Sequence, residues 1–336
     1  MSANKTAIYH LIKPLLLVAL SFILVAACHQ IVIQKPDALS GNLESPANCR
    51  VVQHTLGETC VPSQPKRIVV LLHHILGNVL SLGIKPIASN AISAEELGKT
   101  YLSYPLYLED KLEGIEQIGY LDQPNLEKIR LLKPDLILAW DGAETIYPLL
   151  SQIAPTVLVP WMERANAEEF SNFIAEALGK EAEAQQAWNR YRQRVQELKT
   201  ALGNQYQNQT ISIVAVSGLN EIYIYAENSF AGSIFNDLEL KRPKSQSGIF
   251  SNDGVISLLS EEMLNQVDGD ILFCLVFGDR DKEAIRTIQQ RPLWKKLKAV
   301  QKGQVYFVDF YAWVGSNPIA ANVVLDDLYK YLVSNS

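Results

Sequence analysis

Adjacent histidines, His73 and His74, follow directly on the β-branched run RIVVLL (Arg67–Leu72). Paired imidazoles raise the question of a metal. On an extended segment, though, neighbouring side chains point to opposite faces, so the two cannot easily share an ion. Tetrahedral zinc wants three or four ligands, and past the first 27 residues only His29, His54, His73 and His74 remain. No protein-ligated metal is expected. One cleft-facing histidine touching a ligand fits the spacing, and so does a loop histidine without function. Catalytic signatures are missing as well: the chain has no G-x-S-x-G elbow, phosphate-cradling Gly loop, H-E-x-x-H or C-x-x-C. It is not expected to be an enzyme.

Binding chemistry is better represented. Ligands of open α/β sheets collect at the carboxyl ends of strands. The residues that fall there are His73, Trp140, Trp161, Phe277, Arg280, Tyr311 and Trp313. Tryptophan is costly to leave near solvent unless a partner covers it. Each residue alone also fits local packing. Together they point to an aromatic cleft, with Arg280 as an anion-recognising group.

A third set is a repeat. In NLEKIRLLKPDLILAW, Glu127 precedes Asp135 by eight residues, and in SEEMLNQVDGDILFCLVF Glu262 precedes Asp270 by the same eight. A carboxylate in a first helical turn complements the helix dipole, which would explain either glutamate alone. It does not explain one in the same register in each half of the chain.

The elements that must carry these residues alternate. RIVVLL and KPIAS read as strands around a helix that stops at Gly83. LEKIRLLKPDLILAW and YPLLSQIAPTVLV each read as helix, proline break, strand. The second half echoes the order, with TISIVAV, GSIFNDLEL, SEEMLNQVDGDILF and LWKKLKAVQKGQVYFV. Strands separated by helices imply parallel sheet. The expected fold is therefore α/β: two similar lobes with central, mainly parallel sheets flanked by helices, spanning 49–165 and 203–336. Between them, residues 166–202 carry apolar residues at three- and four-residue steps, the mark of amphipathic helix. Two successive helices interrupted at Gly179 should join the lobes and limit closure to small angles. A last helix is expected over Pro318–Val333.

With 48% hydrophobic and 20% charged residues, the chain can build a proper core. Residues 1–27 read as a signal peptide: Lys5, His10 and Lys13, then the apolar run Pro14–Ala27, short for a membrane span. The run ends in VAAC, the pattern of a lipoprotein signal with Cys28 as the lipidated residue; an ordinary secretory signal is the alternative. Residues 28–48 read as a flexible tether. Without the two lysines of 1–27, 28 basic residues face 36 acidic ones, a net of −8 that argues against a nucleic-acid partner. Cys49 and Cys60 flank two short β-like arms, so a disulfide stapling a hairpin is reasonable; two separate thiols are the alternative. Cys274 reads as a core residue.

CRVVQHTLGETCVPSQPKRIVVL, GYLDQPNLEKIRLLKPDLIL, LLSQIAPTVLV, NSFAGSIFNDLELKRP, ISLLSEEMLNQVDGDILF and RPLWKKLKAVQKGQVYFVDFYAW occur in this order. From Cys49 to Leu332 the chain resembles the ABC-transporter substrate-binding proteins whose lobes are joined by a helix, particularly the iron(III)-siderophore and ferric-citrate branch. The resemblance implies a cleft between the lobes and delivery of a bound iron chelate, without a cofactor, to an inner-membrane permease dimer. The protein would be a monomer held in the periplasm by the lipid on Cys28. It also implies that Glu127 and Glu262 pair with arginines on the two permease subunits. The sequence departs from the pattern at GYLDQ, where several hydroxamate-binding members carry an arginine, and at LLHHILGN, which replaces an aspartate- or serine-containing loop. The leading expectation is capture of a ferric siderophore. Haem or cobalamin binding is the alternative, with a zinc-binding lipoprotein or an exported hydrolase behind it.

Overall fold

The computed structural model describes residues 49–96, 99–103, 105–121, 123–160, 166–217, 221–247, 254–258, 261–277 and 282–334. It opens with an antiparallel hairpin, β1 (Cys49–His54) and β2 (Gly57–Pro62), stapled by a Cys49–Cys60 disulfide. The first sheet contains β3 (Ile68–Leu71), β4 (Ala88–Glu96), β5 (Lys99–Ser103), β6 (Glu116–Tyr120), β7 (Leu136–Trp140) and β8 (Thr156–Val159). Its order is β5-β4-β3-β7-β8, with β6 also on β4; β5 runs antiparallel and the other pairs are parallel. Helices α1 (His73–Ser81), α2 (Leu126–Leu131) and α3 (Tyr147–Ser151) connect the strands. Every residue of β3 and β8 is buried. Such strands read as unbroken apolar runs because helices cover both faces of a parallel sheet.

The connector is α4 (Ala167–Leu178) followed by α5 (Glu181–Leu202). Gly179, at φ 66, ends α4 in the left-handed region, with the Arg50 guanidinium packed where a side chain would otherwise start. The two helices serve different cores. Phe170, Ile174 and Ala177 of α4 join Ile68, Val70 and Leu138 of the first sheet. Trp188, Tyr191, Val195 and Leu198 of α5 join Ile213, Phe235 and Phe273 of the second.

That second sheet has the order β11-β10-β9-β12-β13, from β9 (Ile211–Ser217), β10 (Glu221–Tyr225), β11 (Val255–Leu258), β12 (Ile271–Val276) and β13 (Val305–Asp309). Its helices are α6 (Phe230–Asp237), α7 (Lys282–Gln290), α8 (Lys298–Gln301), α9 (Phe310–Trp313) and α10 (Pro318–Leu332). The pairs β9–β12 and β12–β13 are parallel, whereas β10 runs antiparallel to both neighbours. The lobes therefore share a βα centre and differ at the edge. The segment expected as a helix around Glu262 is a 3-10 turn, Glu261–Val267.

The repeated aspartates have one job in both lobes. Asp135 immediately precedes β7, and its carboxylate accepts from the Lys66 and Arg67 amides at 2.8 and 2.9 Å, just ahead of β3. Asp270 immediately precedes β12 and accepts from the Thr210 amide at 3.0 Å, just ahead of β9. In each case the aspartate clamps the entry of the neighbouring parallel strand, and Ile68 then pairs with Leu136 as Ile211 pairs with Ile271. Lys302 adds an ion pair to Asp270 at 2.9 Å, and holds its carboxyl below the usual range.

Candidate functional site

The lobes meet where α1 and the 3-10 helix Leu106–Lys111 lie against the segment from β13 to α10. Among the described residues, four polar contacts cross or brace this seam. The His74 Nε2–H donates to the Val314 carbonyl at 3.1 Å, and Asn78 Nδ2 donates to the Ser316 carbonyl at 3.0 Å. Asn317 Nδ2 donates to the Tyr107 hydroxyl at 2.9 Å, while Asn317 Oδ1 caps α10 by accepting from the Ala320 amide at 3.0 Å. Gly77 permits the approach: a Cβ there would run into the Asn317 side chain.

Aromatic rings gather beside the seam at the carboxyl ends of β12 and β13. Phe277 stacks on Phe310 at 3.9 Å, and both set an edge against Tyr311, at 5.5 and 5.4 Å. Tyr311 reaches across to His73 of the other lobe at 5.5 Å, and His73 lies 3.9 Å from the His74 ring. Burial pushes His73 down to about 3. Burial also drives His74 well below the ordinary histidine value; the nearby His73 adds to this and the Val314 carbonyl opposes it. Both imidazoles are therefore neutral at physiological pH. Burial raises Asp309, which caps α9 through the Ala312 amide at 2.7 Å.

The histidine pair is not on an extended segment, as the sequence implied. Leu72, at φ 139, turns the chain sharply after β3, and the two histidines open α1. Consecutive helical residues lie about 100° apart, not 180°, so their rings can touch.

Trp313 is a correction. Expected in the cleft, it is fully buried, stacked on Phe273 at 4.9 Å, with Nε1–H donating to Asp327 Oδ2 at 2.9 Å. The reason is the same change of periodicity. In a strand, residues two apart share a face; in α9, Tyr311 and Trp313 are about 200° apart and point to opposite sides. Tyr311 takes the seam and Trp313 the core.

Trp140 ends β7 half-buried, its indole folded over Gly142, where any side chain would collide with it. Trp161, Arg280 and Cys28 lie outside the described residues. Glu127 is exposed as the second residue of α2, whose N-cap Asn125 accepts from the Lys128 amide at 2.9 Å. Glu262 is the second residue of its 3-10 turn. Sequence reasoning missed Phe310, Asn78, Tyr107 and Asn317. Of these only Asn317 carried a local signal, an Asn-Pro step opening a helix.

Among the described residues no group of three or more His, Cys, Asp or Glu could hold a metal ion, and no helix is long and apolar enough to cross a membrane. A groove of about 750 Å³ lies apart from the strand ends, between the connector and α6, lined by residues including Trp188, Tyr191 and Phe230. The Tyr191 hydroxyl donates to Asp237 there at 2.6 Å, and Arg192 pairs with Glu168 at 2.9 Å.

Two α/β lobes on a helical connector, with aromatic rings at the strand ends where the lobes meet, define a two-lobed binding protein. Residues 94–312 match the model of the periplasmic binding protein family, and the chain belongs to that family. The probable siderophore-binding lipoprotein YfiY of Bacillus subtilis is 34% identical over 310 residues, covering 88% of this chain and 92% of the relative. The Fe(3+)-citrate-binding protein YfmC of the same organism is 31% identical over 299 residues, covering 87% and 89%. Among solved structures, Staphylococcus aureus SirA complexed with staphyloferrin B matches with a TM-score of 0.70 at 28% identity, covering 84% of this chain and 98% of SirA.

Proposed function

We propose that this chain is a non-enzymatic, lipid-anchored binding protein that captures a ferric siderophore and passes it to an inner-membrane ABC permease. The observation that carries the reading is the meeting of strand ends from two lobes at one aromatic surface, Phe277, Phe310 and Tyr311 against His73. Ligands of open α/β sheets bind at such ends, and the names of the relatives supply the ligand class. Trp140, Trp161 and Arg280 complete the ligand set, and the iron is cargo, not a resident cofactor. The protein acts as a monomer, and Cys28 carries the lipid that holds it in the periplasm beside its transporter.

Docking falls to Glu127 and Glu262, one near the start of a helical turn in each lobe. Two charges on separate lobes set register and speed encounter more than they add affinity. The test is a titration followed by tryptophan fluorescence. Ferric chelate should quench at sub-micromolar concentration, about −8 kcal/mol or better, and the iron-free form should not. Native mass spectrometry of protein from iron-starved cells then weighs the bound species. Equal response to ferric and iron-free forms would remove the reading.

A further inference from the structure

We infer that the first turn of α1, together with His73, is a subsite for a carboxylate of the iron chelate. This rests on the chelate-binding reading above. α1 is a nine-residue helix with no acidic residue in its first turn and, among the described residues, no capping side chain. The first amides of a helix need acceptors from outside it, and no side chain among the described residues caps this one. Independently, His73 is only 9% exposed, and its Nε2 has no hydrogen-bond partner among the described residues. Buried polar atoms are nearly always paired, so an orphan of this kind marks a partner yet to arrive.

The two features act in one place. Side chains on a helix lean toward its N-terminus, so the imidazole of the first helical residue and the first amides serve the same region. Its ring faces Tyr311 across the seam, at the strand ends where the chelate is proposed to sit. The imidazole is neutral there and offers an N–H; the helix end offers positive partial charge. Both call for a compact oxygen that carries negative charge. Among the described residues, the rings that contact His73 are those of His74 and Tyr311.

This selects among iron chelates. Hydroxamates and catecholates commit both donor oxygens of each unit to the metal. A carboxylate bound to iron through one oxygen keeps the second, with its share of the charge, for the protein. The chemistry at α1 therefore favours a ferric carboxylate or hydroxycarboxylate chelate over a neutral trihydroxamate.

The probes are ferric citrate and a ferric trihydroxamate, titrated by fluorescence against wild type, His73→Leu and His73→Gln, each first checked for a folded thermal transition. Wild type should prefer ferric citrate. His73→Leu should weaken ferric citrate by roughly 10- to 100-fold, the loss of one charge-assisted hydrogen bond, and leave the trihydroxamate within about threefold. His73→Gln keeps an N–H donor and should recover most of the loss; it also serves if the leucine variant does not fold. Equal weakening of both chelates, or no weakening of ferric citrate, overturns the subsite. Wild type that takes the trihydroxamate but not ferric citrate overturns it too, while chelate binding stands. Wild type that takes neither, nor any other ferric chelate, overturns both.

Discussion

Acidification should loosen this protein through His73, and the size of the effect follows from its burial. In the unfolded chain the imidazole takes a proton at about 6.5; in the fold, burial lowers that to about 3. Between these values the unfolded state binds the proton and the folded state does not, so stability is complete above about 6.5 and falls as the pH drops toward 3. The slope is about 1.4 kcal/mol per pH unit. From pH 7 to pH 5 the loss is about 2 kcal/mol, and the ceiling near pH 3 is about 5 kcal/mol. His74 titrates with the same sign, because its neutral form is also the buried one. Position adds to the cost: a cation in the first turn of α1 opposes the helix dipole. Thermal unfolding at pH 7 and pH 5 measures it, with a wild-type drop of about 4–8 °C from this residue alone. His73→Leu removes the titrating group, and the carboxylates common to both proteins cancel in the comparison. The pH slope of the variant should therefore be shallower by about 1 kcal/mol per unit. Parallel slopes for the two proteins between pH 7 and pH 5 would refute the reasoning, because they would mean His73 is hydrated in the fold.

Trp313→Ala should cost about 3–5 kcal/mol of stability, as deletions of buried aromatic side chains do, while chelate affinity of the folded protein stays within about twofold. Weakened binding at an unchanged melting temperature would return Trp313 to the cleft. Asp135→Ala and Asp270→Ala should each cost about 1.5–3 kcal/mol in chemical denaturation, since each removes a carboxylate that clamps a strand entry. A change below about 0.5 kcal/mol in both would show the clamps to be dispensable. Glu127→Ala combined with Glu262→Ala should cost at most about 1 kcal/mol per site and leave chelate affinity unchanged, yet remove most iron uptake by cells. Normal uptake would leave helix capping as the whole role of the two residues.

Two layers of information are separable in this chain. Local sequence determined the elements with strong periodicity or chemistry of their own. The apolar stripe of 166–202 became α4 and α5 because three- and four-residue spacing is only satisfied by helix, and the αL position at Gly179 divided them. The Pro134–Asp135 and Gly269–Asp270 steps placed the starts of β7 and β12, because a strand entry needs an acceptor for its neighbour's first amides. The two-lobed α/β fold was legible for the same reason.

What the sequence could not carry was direction. Whether a residue just past a strand belongs to an extended tail or to the first turn of a helix changes its bearing by about 80–100° per residue. That alone sent Trp313 into the core, brought His73 and His74 together, and left Tyr311 on the seam. β10 and β11 went unread because antiparallel edge strands are chosen by the open flank of β9, not by their own short patterns. The seam itself depends on pairs hundreds of residues apart, such as His74 with Val314 and Tyr107 with Asn317. No local propensity encodes those contacts; they exist only once two cores have formed and the connector holds them side by side.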